Sequence, residues 1–173
     1  MNSKLLFIVL TLFLSSNKIF AQSEAELEKL SIFSEYVKSK NYDAAFVPWM
    51  ELRTTTPKLN KAIYIFGERI LKNKISTSEG DEKVKFLLDL LKLWEERSIN
   101  FPKITPKGAY LAKASQLNYD NKKLLVQSNE QLYAAFDLAY NTDLETFTNP
   151  KSLYTYFSLM VGLYDSKLKS AQE

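Results

Sequence analysis

Ile32-Phe33-x2-Tyr36, followed by Tyr42, Ala45-x3-Trp49 and Pro57, leads after thirty-four residues to Phe66-Gly67-x2-Ile70. Leu27, Leu30, Phe33 and Val37 fall three or four residues apart, the spacing that puts apolar side chains on one face of a helix. Ser23-x-x-Glu26 has the form of a capping box that opens this helix, and Lys38-Ser-Lys-Asn41 forms the turn after it. A second helix, about Tyr42 to Arg53, is stopped by Thr54-Thr-Thr-Pro57, since the residue before proline is pushed out of the α region. Pro48 falls inside that span, where the sequence predicts a kink or a place in the first turn. Two helices closed by a proline and restarted at a fixed period form a repeat, and each repeat must stack on its neighbours to bury its apolar face.

The same grammar continues downstream. The third helix covers about Leu59 to Lys74, and Ser76-Thr-Ser-Glu-Gly-Asp81 reads as a loop in which Ser78 caps the fourth, about Glu82 to Ser98. The fifth spans about Pro106 to Tyr119, and a capping box, Ser128-x-x-Gln131, opens the sixth, which ends near Asn141. Asn149-Pro150 opens the seventh, Lys151 to about Leu168. Here the landmarks recur at forty-five residues: Phe66-Gly67 maps to Leu111-Ala112 and then Tyr156-Phe157, Leu90-x3-Trp94 to Ala135-x3-Ala139, and Pro102 to Phe147. Gly67, Ala112, Ala45 and Ala135 are the small residues that allow close helix approach, and Trp49 and Trp94 are the bulky ones, with Trp94 expected against Gly67.

This pattern resembles the tetratricopeptide repeat, whose signature runs Leu-Gly-x2-Tyr, Ala-x3-Phe and Pro. The match is good over roughly Leu27 to Gly67 and degenerate beyond it, and the first repeat carries Phe33 where the family has a small residue. The resemblance implies an all-α fold, a right-handed α-solenoid of antiparallel helix pairs with about seven helices. The forty-five-residue spacing leaves a HEAT-like stack as the alternative. It also implies a concave groove, lined by the first helix of each pair, that holds an extended peptide or a partner helix. By resemblance the groove positions are Leu30, Ser34 and Val37, then Lys61, Tyr64, Glu68 and Leu71, then Ala109, Lys113 and Gln116. Leu30, Val37 and Leu71 read more readily as ordinary core, since apolar residues at helical spacing usually pack inward, whereas Tyr64 is expected as a partly exposed aromatic contact.

Composition narrows the chemistry. The 173 residues are 46% hydrophobic, enough for a continuous core in one elongated domain, residues 22–173. The chain has no Cys and no His, which excludes disulfides, thiol nucleophiles, imidazole triads and thiolate or imidazole zinc sites. Its four Gly are scattered at 67, 80, 108 and 162, so there is no glycine-rich phosphate loop. Asn141-x-Asp143-x-Glu145 begins like a calcium loop, but Thr146 and Ser152 stand where Gly and a bidentate Glu are required, so a helix-ending turn is the better reading. Glu95-Glu96 diverge on a helix, and Lys38, Lys40, Lys72, Lys74, Lys122 and Lys123 sit at helix ends or turns, where cations complement the dipole. The sequence therefore predicts no enzyme, no cofactor and no metal.

The N-terminus reads as a signal peptide over residues 1–21. Lys4 is followed by the ten-residue apolar run Leu5–Leu14 and a polar stretch ending in Ala21. Ten residues rise only about 15 Å as a helix, half of what a span requires. With Lys4 and Lys18 removed, 21 basic residues face 20 acidic ones, a balance that argues against nucleic acid as partner. Without a Cys for a lipid anchor and without a membrane span in the mature chain, the protein is expected in the periplasm or outside the cell, with a protein or peptide of the cell envelope as its partner. Helix seven is apolar or aromatic at nine of the twelve positions from Leu153 to Tyr164. It reads as the first half of a fourth pair, part of a longer solenoid or completed by a partner, with Leu159 and Leu163 as the self-association or next-repeat surface. A structural subunit of this kind, or a glycan or small-ligand binder using groove tyrosines, is the competing expectation.

Overall fold

A computed structural model describes residues 24–166. The signal segment with its cleavage point, Ser23 of the first capping box and the tail 167–173 lie outside the described residues. Among the described residues the protein is all-α, with no strand. Helix α1 covers 24–38 and is followed by α2 (Tyr42–Thr55), α3 (Ala62–Thr77) and α4 (Gly80–Asn100). A short 3-10 turn, Pro102–Ile104, precedes α5 (Lys107–Asp120) and α6 (Asn129–Thr142), and a second, Leu144–Thr146, precedes α7 (Pro150–Asp165).

The loop expected at 76–81 shrinks to Ser78-Glu79. Its polar residues are the last turn of α3: the Ser76 and Thr77 hydroxyls donate back to the Asn73 carbonyl at 2.7 and 3.1 Å. Ser78 is buried and does not cap α4, which has Glu79 at its N-cap position. Gly80 turns the chain at φ +54°, a left-handed conformation open to glycine. The α6 capping box forms as the sequence predicts, with Gln131 N–H donating to Ser128 Oγ at 3.2 Å and Ser128 N–H to Gln131 Oε1 at 2.9 Å. Pro48 lies within α2, beyond its first turn.

The chain divides into two compact units, one ending at Ile70 and the other beginning at Leu71, inside α3. In the first, Phe33, Val37, Ala45, Trp49, Leu52, Ile63, Tyr64 and Ile70 are buried. Trp49 donates its indole N–H to the Ile63 carbonyl at 2.8 Å, which lays the ring directly over Gly67. The bulky partner of Gly67 is thus Trp49, from the preceding helix, where Trp94 was expected. Phe33 packs edge-on against Phe66 with centroids 6.0 Å apart, so a large residue takes the place that the repeat pattern gives to a small one.

In the second unit helices pack in chain order, α4 on α5, α5 on α6 and α6 on α7, and α5 also reaches α7. Ala112 and Ala139 are buried at the crossings, within a core that includes Leu132, Tyr133, Phe136, Phe147, Leu159 and Leu163. The Tyr156 ring packs against Tyr133, Phe136, Tyr140 and Phe147 at centroid separations of 5.3, 6.2, 5.8 and 6.2 Å. Its hydroxyl donates to Asp137 at 2.6 Å, and burial above all pushes its pKa well up. Each such ring pair is worth roughly 0.5–1.5 kcal/mol beyond its buried area.

Leu159 and Leu163, expected on an outer surface, are 5% and 2% exposed. They share a stripe with Ser152 and Thr155, three or four residues apart, that faces the core. The outward face of α7 carries Leu153, Tyr154, Phe157, Met160, Val161 and Tyr164. Leu159→Ala should therefore cost about 2 kcal/mol in denaturant unfolding, the lower end for a buried leucine, while Phe157→Ala should stay within about 0.5 kcal/mol. Equal losses would remove the distinction between the two faces.

Candidate functional site

Ala109, Lys113 and Gln116 lie four and three residues apart on α5, and Leu117 and Asp120 extend the same stripe. That stripe floors a trough of about 650 Å³, within the range of ligand pockets, whose other walls are Lys72, Trp94, Thr146, Thr148 and the segment Asn149-Pro150-Lys151-Ser152. A smaller pocket of about 160 Å³ adjoins it, sharing Trp94, Ala109 and Lys113 and adding Arg97, Ile104, Thr105, Pro106 and Tyr110.

Local chemistry fixes these walls. Pro106 precedes α5 and offers no capping side chain, so the helix is capped from across the unit. Asp143 Oδ2 accepts the Gly108 N–H and Thr146 Oγ1 accepts the Ala109 N–H, each at 3.2 Å. The pattern Asn141-x-Asp143-x-Glu145, weighed as a calcium loop, thus supplies a helix cap. The hydrogen bond from Thr146, then that from Gly108, hold the Asp143 carboxyl below its usual value of 3.8. A depressed carboxylate stabilises the fold fully above the unfolded pKa and loses that contribution as pH falls through the folded one. Stability should therefore fall below about pH 4 with a slope that Asp143→Asn reduces; acid titrations of the two proteins that superimpose would contradict the cap.

At the other end, Asn149 Oδ1 accepts the Ser152 N–H at 3.0 Å and starts α7. The buried Ser152 hydroxyl donates to the Ala112 carbonyl at 3.4 Å, which the small Ala112 side chain permits. Lys151 pairs with Asp120 at 2.6 Å, and Gln116 Nε2 donates to the same carboxylate at 2.9 Å. The pair is solvated and worth at most about 1 kcal/mol, so it orients the wall more than it stabilises the fold. Lys113 Nζ stands 4.4 Å from the centroid of the Trp94 ring, a cation–π contact. Burial, and then the nearby Glu95, raise the pKa of Tyr110.

Three polar atoms in these walls are enclosed without a hydrogen-bond partner: Arg97 Nε, Thr105 Oγ1 and Gln116 Oε1. Such atoms are rare in folded proteins, because each forfeits a bond that water would supply.

Ala109, Lys113 and Gln116 are thus the expected groove positions that share a cavity. Val37, Tyr64 and Leu71 are 2%, 1% and 0% exposed and belong to the core, which corrects the expectation of Tyr64 as a contact. Apolar spacing on α1 and α3 marked the side that packs. Leu30, Ser34 and Glu68 are half-buried and Lys61 is exposed; the Ser34 hydroxyl is spent on the Leu30 carbonyl. Arg97, Thr105, Asp120 and the first turn of α7 were not read as site residues. Nothing in the local sequence marks a wall assembled from segments thirty or more residues apart. Among the described residues no group of three or more acidic, His or Cys side chains is placed to hold a metal. No protein-family model, curated protein or solved structure matches the chain.

Proposed function

We propose that this protein is an exported, non-catalytic helical-repeat scaffold of the tetratricopeptide type, and that its α5 trough grips an extended segment of a protein of the cell envelope. What carries the reading is the convergence of Ala109, Lys113 and Gln116, the positions that the repeat resemblance gives to recognition, on one trough of ligand size. Within the second unit, packing of α4 on α5, α5 on α6 and α6 on α7, with α5 also touching α7, is what stacked helical hairpins require. The charged n-region and short apolar run support export, and among the described residues no helix is long and apolar enough to cross a membrane.

Photo-crosslinking in the producing cell tests this. A photoreactive side chain at Ala109, in the trough, should yield a discrete protein adduct, and one at Leu138, exposed on α6, should not. Absence of an adduct at Ala109, or the same adduct from both positions, would overturn the proposal.

A second reading, a subunit that associates with copies of itself, is favoured by the outward face of α7, where Tyr154, Phe157 and Tyr164 are 73%, 59% and 52% exposed. An apolar patch of this extent commonly marks an interface. Light scattering of the wild type against Tyr154→Ser/Phe157→Ser decides it: a mass that falls with the substitution supports self-association, and a monomer in both cases rejects it.

A further inference from the structure

We propose that the outward face of α7 is a coiled-coil seam on which a second copy of this chain lays its own α7 antiparallel, about a twofold axis midway between Phe157 and Met160. The proposal rests on the self-association reading above and gives it a partner helix, a direction and a register. Leu153, Phe157, Met160 and Tyr164 recur four, three and four residues apart, the alternation that seats one helix on another along its length. Tyr154 and Val161, seven residues apart, widen the same face, and all six side chains are exposed. From Ser152 to Tyr164 the helix carries no charged residue, so the face offers a foreign partner no charge to read.

Self-complementarity selects the occupant. A twofold interface uses one patch on both copies, so each residue must fit the one that the axis brings opposite it. With the helices antiparallel, Leu153 meets the partner's Tyr164 and Phe157 meets the partner's Met160, so every layer of the seam joins an aromatic to an aliphatic side chain. Parallel helices would instead set Phe157 on the partner's Phe157 and Tyr164 on the partner's Tyr164, and leave the aliphatic layers thin. From their exposed fractions the six side chains offer roughly 600 Å² per copy and about 1,200 Å² for the pair, which reaches the lower bound of a specific interface. A pair held by so small an area parts on dilution, and each copy then unfolds as a monomer. The core stripe of Ser152, Thr155, Leu159 and Leu163 stays on its own unit, so pairing requires no refolding.

The chain has no cysteine, so single introduced cysteines report proximity without background. Leu153→Cys and Tyr164→Cys proteins are oxidised separately and as an equal mixture. Opposed positions fall within the roughly 7 Å Cα separation that a disulfide tolerates, whereas Leu153 and the partner's Leu153 lie about 16 Å apart along the helices. We expect a covalent dimer in the mixture and none in either protein alone, and a wild-type mass by light scattering that climbs towards twice the monomer with concentration. Unchanged far-ultraviolet circular dichroism shows that both variants fold. Cross-linking in each protein alone would show parallel helices, overturning the inference and leaving the self-association reading standing. A dimer by mass that cross-links in no sample would place the contact away from this seam and overturn the inference. A strict monomer at every concentration would overturn both, and its co-sedimentation with phosphatidylglycerol–phosphatidylethanolamine vesicles would assign the face to lipid instead.

Discussion

Gly67→Ala is expected to destabilise the protein by about 3 kcal/mol, the upper part of the usual range for overpacking. A Cβ at Gly67 would lie 2.6 Å from both Cε2 and Cζ2 of Trp49, well inside van der Waals contact. The indole cannot swing aside at low cost, because it is fully buried and its N–H is bound to the Ile63 carbonyl. For a chain of this size the loss corresponds to a fall in melting temperature of roughly 6–12 °C. Trp49→Phe introduced alongside should recover part of it by vacating the space, although the same change alone destabilises. An unchanged melting temperature in Gly67→Ala would show that α2 and α3 do not approach so closely.

A loss of similar size is expected for Gly108→Ala, by a different route. The added Cβ would collide with the backbone carbonyl of Asp143, with Thr146 Oγ1 at 2.8 Å and with the Phe147 N at 2.9 Å. Backbone has no rotamer with which to yield, so the 143–147 turn must move away from α5. With it go the two hydrogen bonds that cap the helix at Gly108 and Ala109. We expect a cost of about 3 kcal/mol together with weaker peptide binding, since Ala109 begins the trough floor. Gly162 provides the control: a Cβ there meets nothing within 4 Å, and Gly162→Ala should stabilise α7 by up to about 1 kcal/mol through helix propensity. Denaturant unfolding of the three variants checks the order; a Gly108→Ala protein as stable as the wild type would mean that the turn does not cap α5.

The helices were legible because the signals that set them are local. The Ser128 capping box, the stop before Pro57 and the 3.6-residue spacing of Leu27, Leu30, Phe33 and Val37 act within a turn or two of themselves. The misplaced boundary at 76–81 is also local: Ser and Thr favour loops on average, yet here Ser76 and Thr77 bond back to Asn73 and prolong α3. Small residues showed that close approaches exist without showing with whom, so Gly67 was matched to Trp94 when its neighbour is Trp49.

The trough was half legible. Its floor is one stripe of α5, which spacing reveals, but its walls come from the end of α3, from α4, from α7 and from two short turns that tertiary packing brings together. Tyr64, Leu159 and Leu163 failed for one reason. An apolar residue on a repeat helix is compatible with a groove, an end face or the core, and the difference lies in which face meets the next helix, information that no window of sequence contains. Asp143 shows the converse: a pattern that resembles ligand chemistry serves a helix thirty-five residues away in the chain.

The central claim, that the α5 trough is where this protein meets its partner, is tested most directly by mapping amide chemical-shift changes on the labelled protein as the partner segment captured by crosslinking at Ala109 is added. We expect the shifts to concentrate at Ala109, Lys113, Gln116 and residues 149–152, with the indole N–H of Trp94 among the most perturbed. Shifts centred instead on Lys61 and Glu68, or on Tyr154, Phe157 and Tyr164 of α7, would place recognition elsewhere and contradict the account.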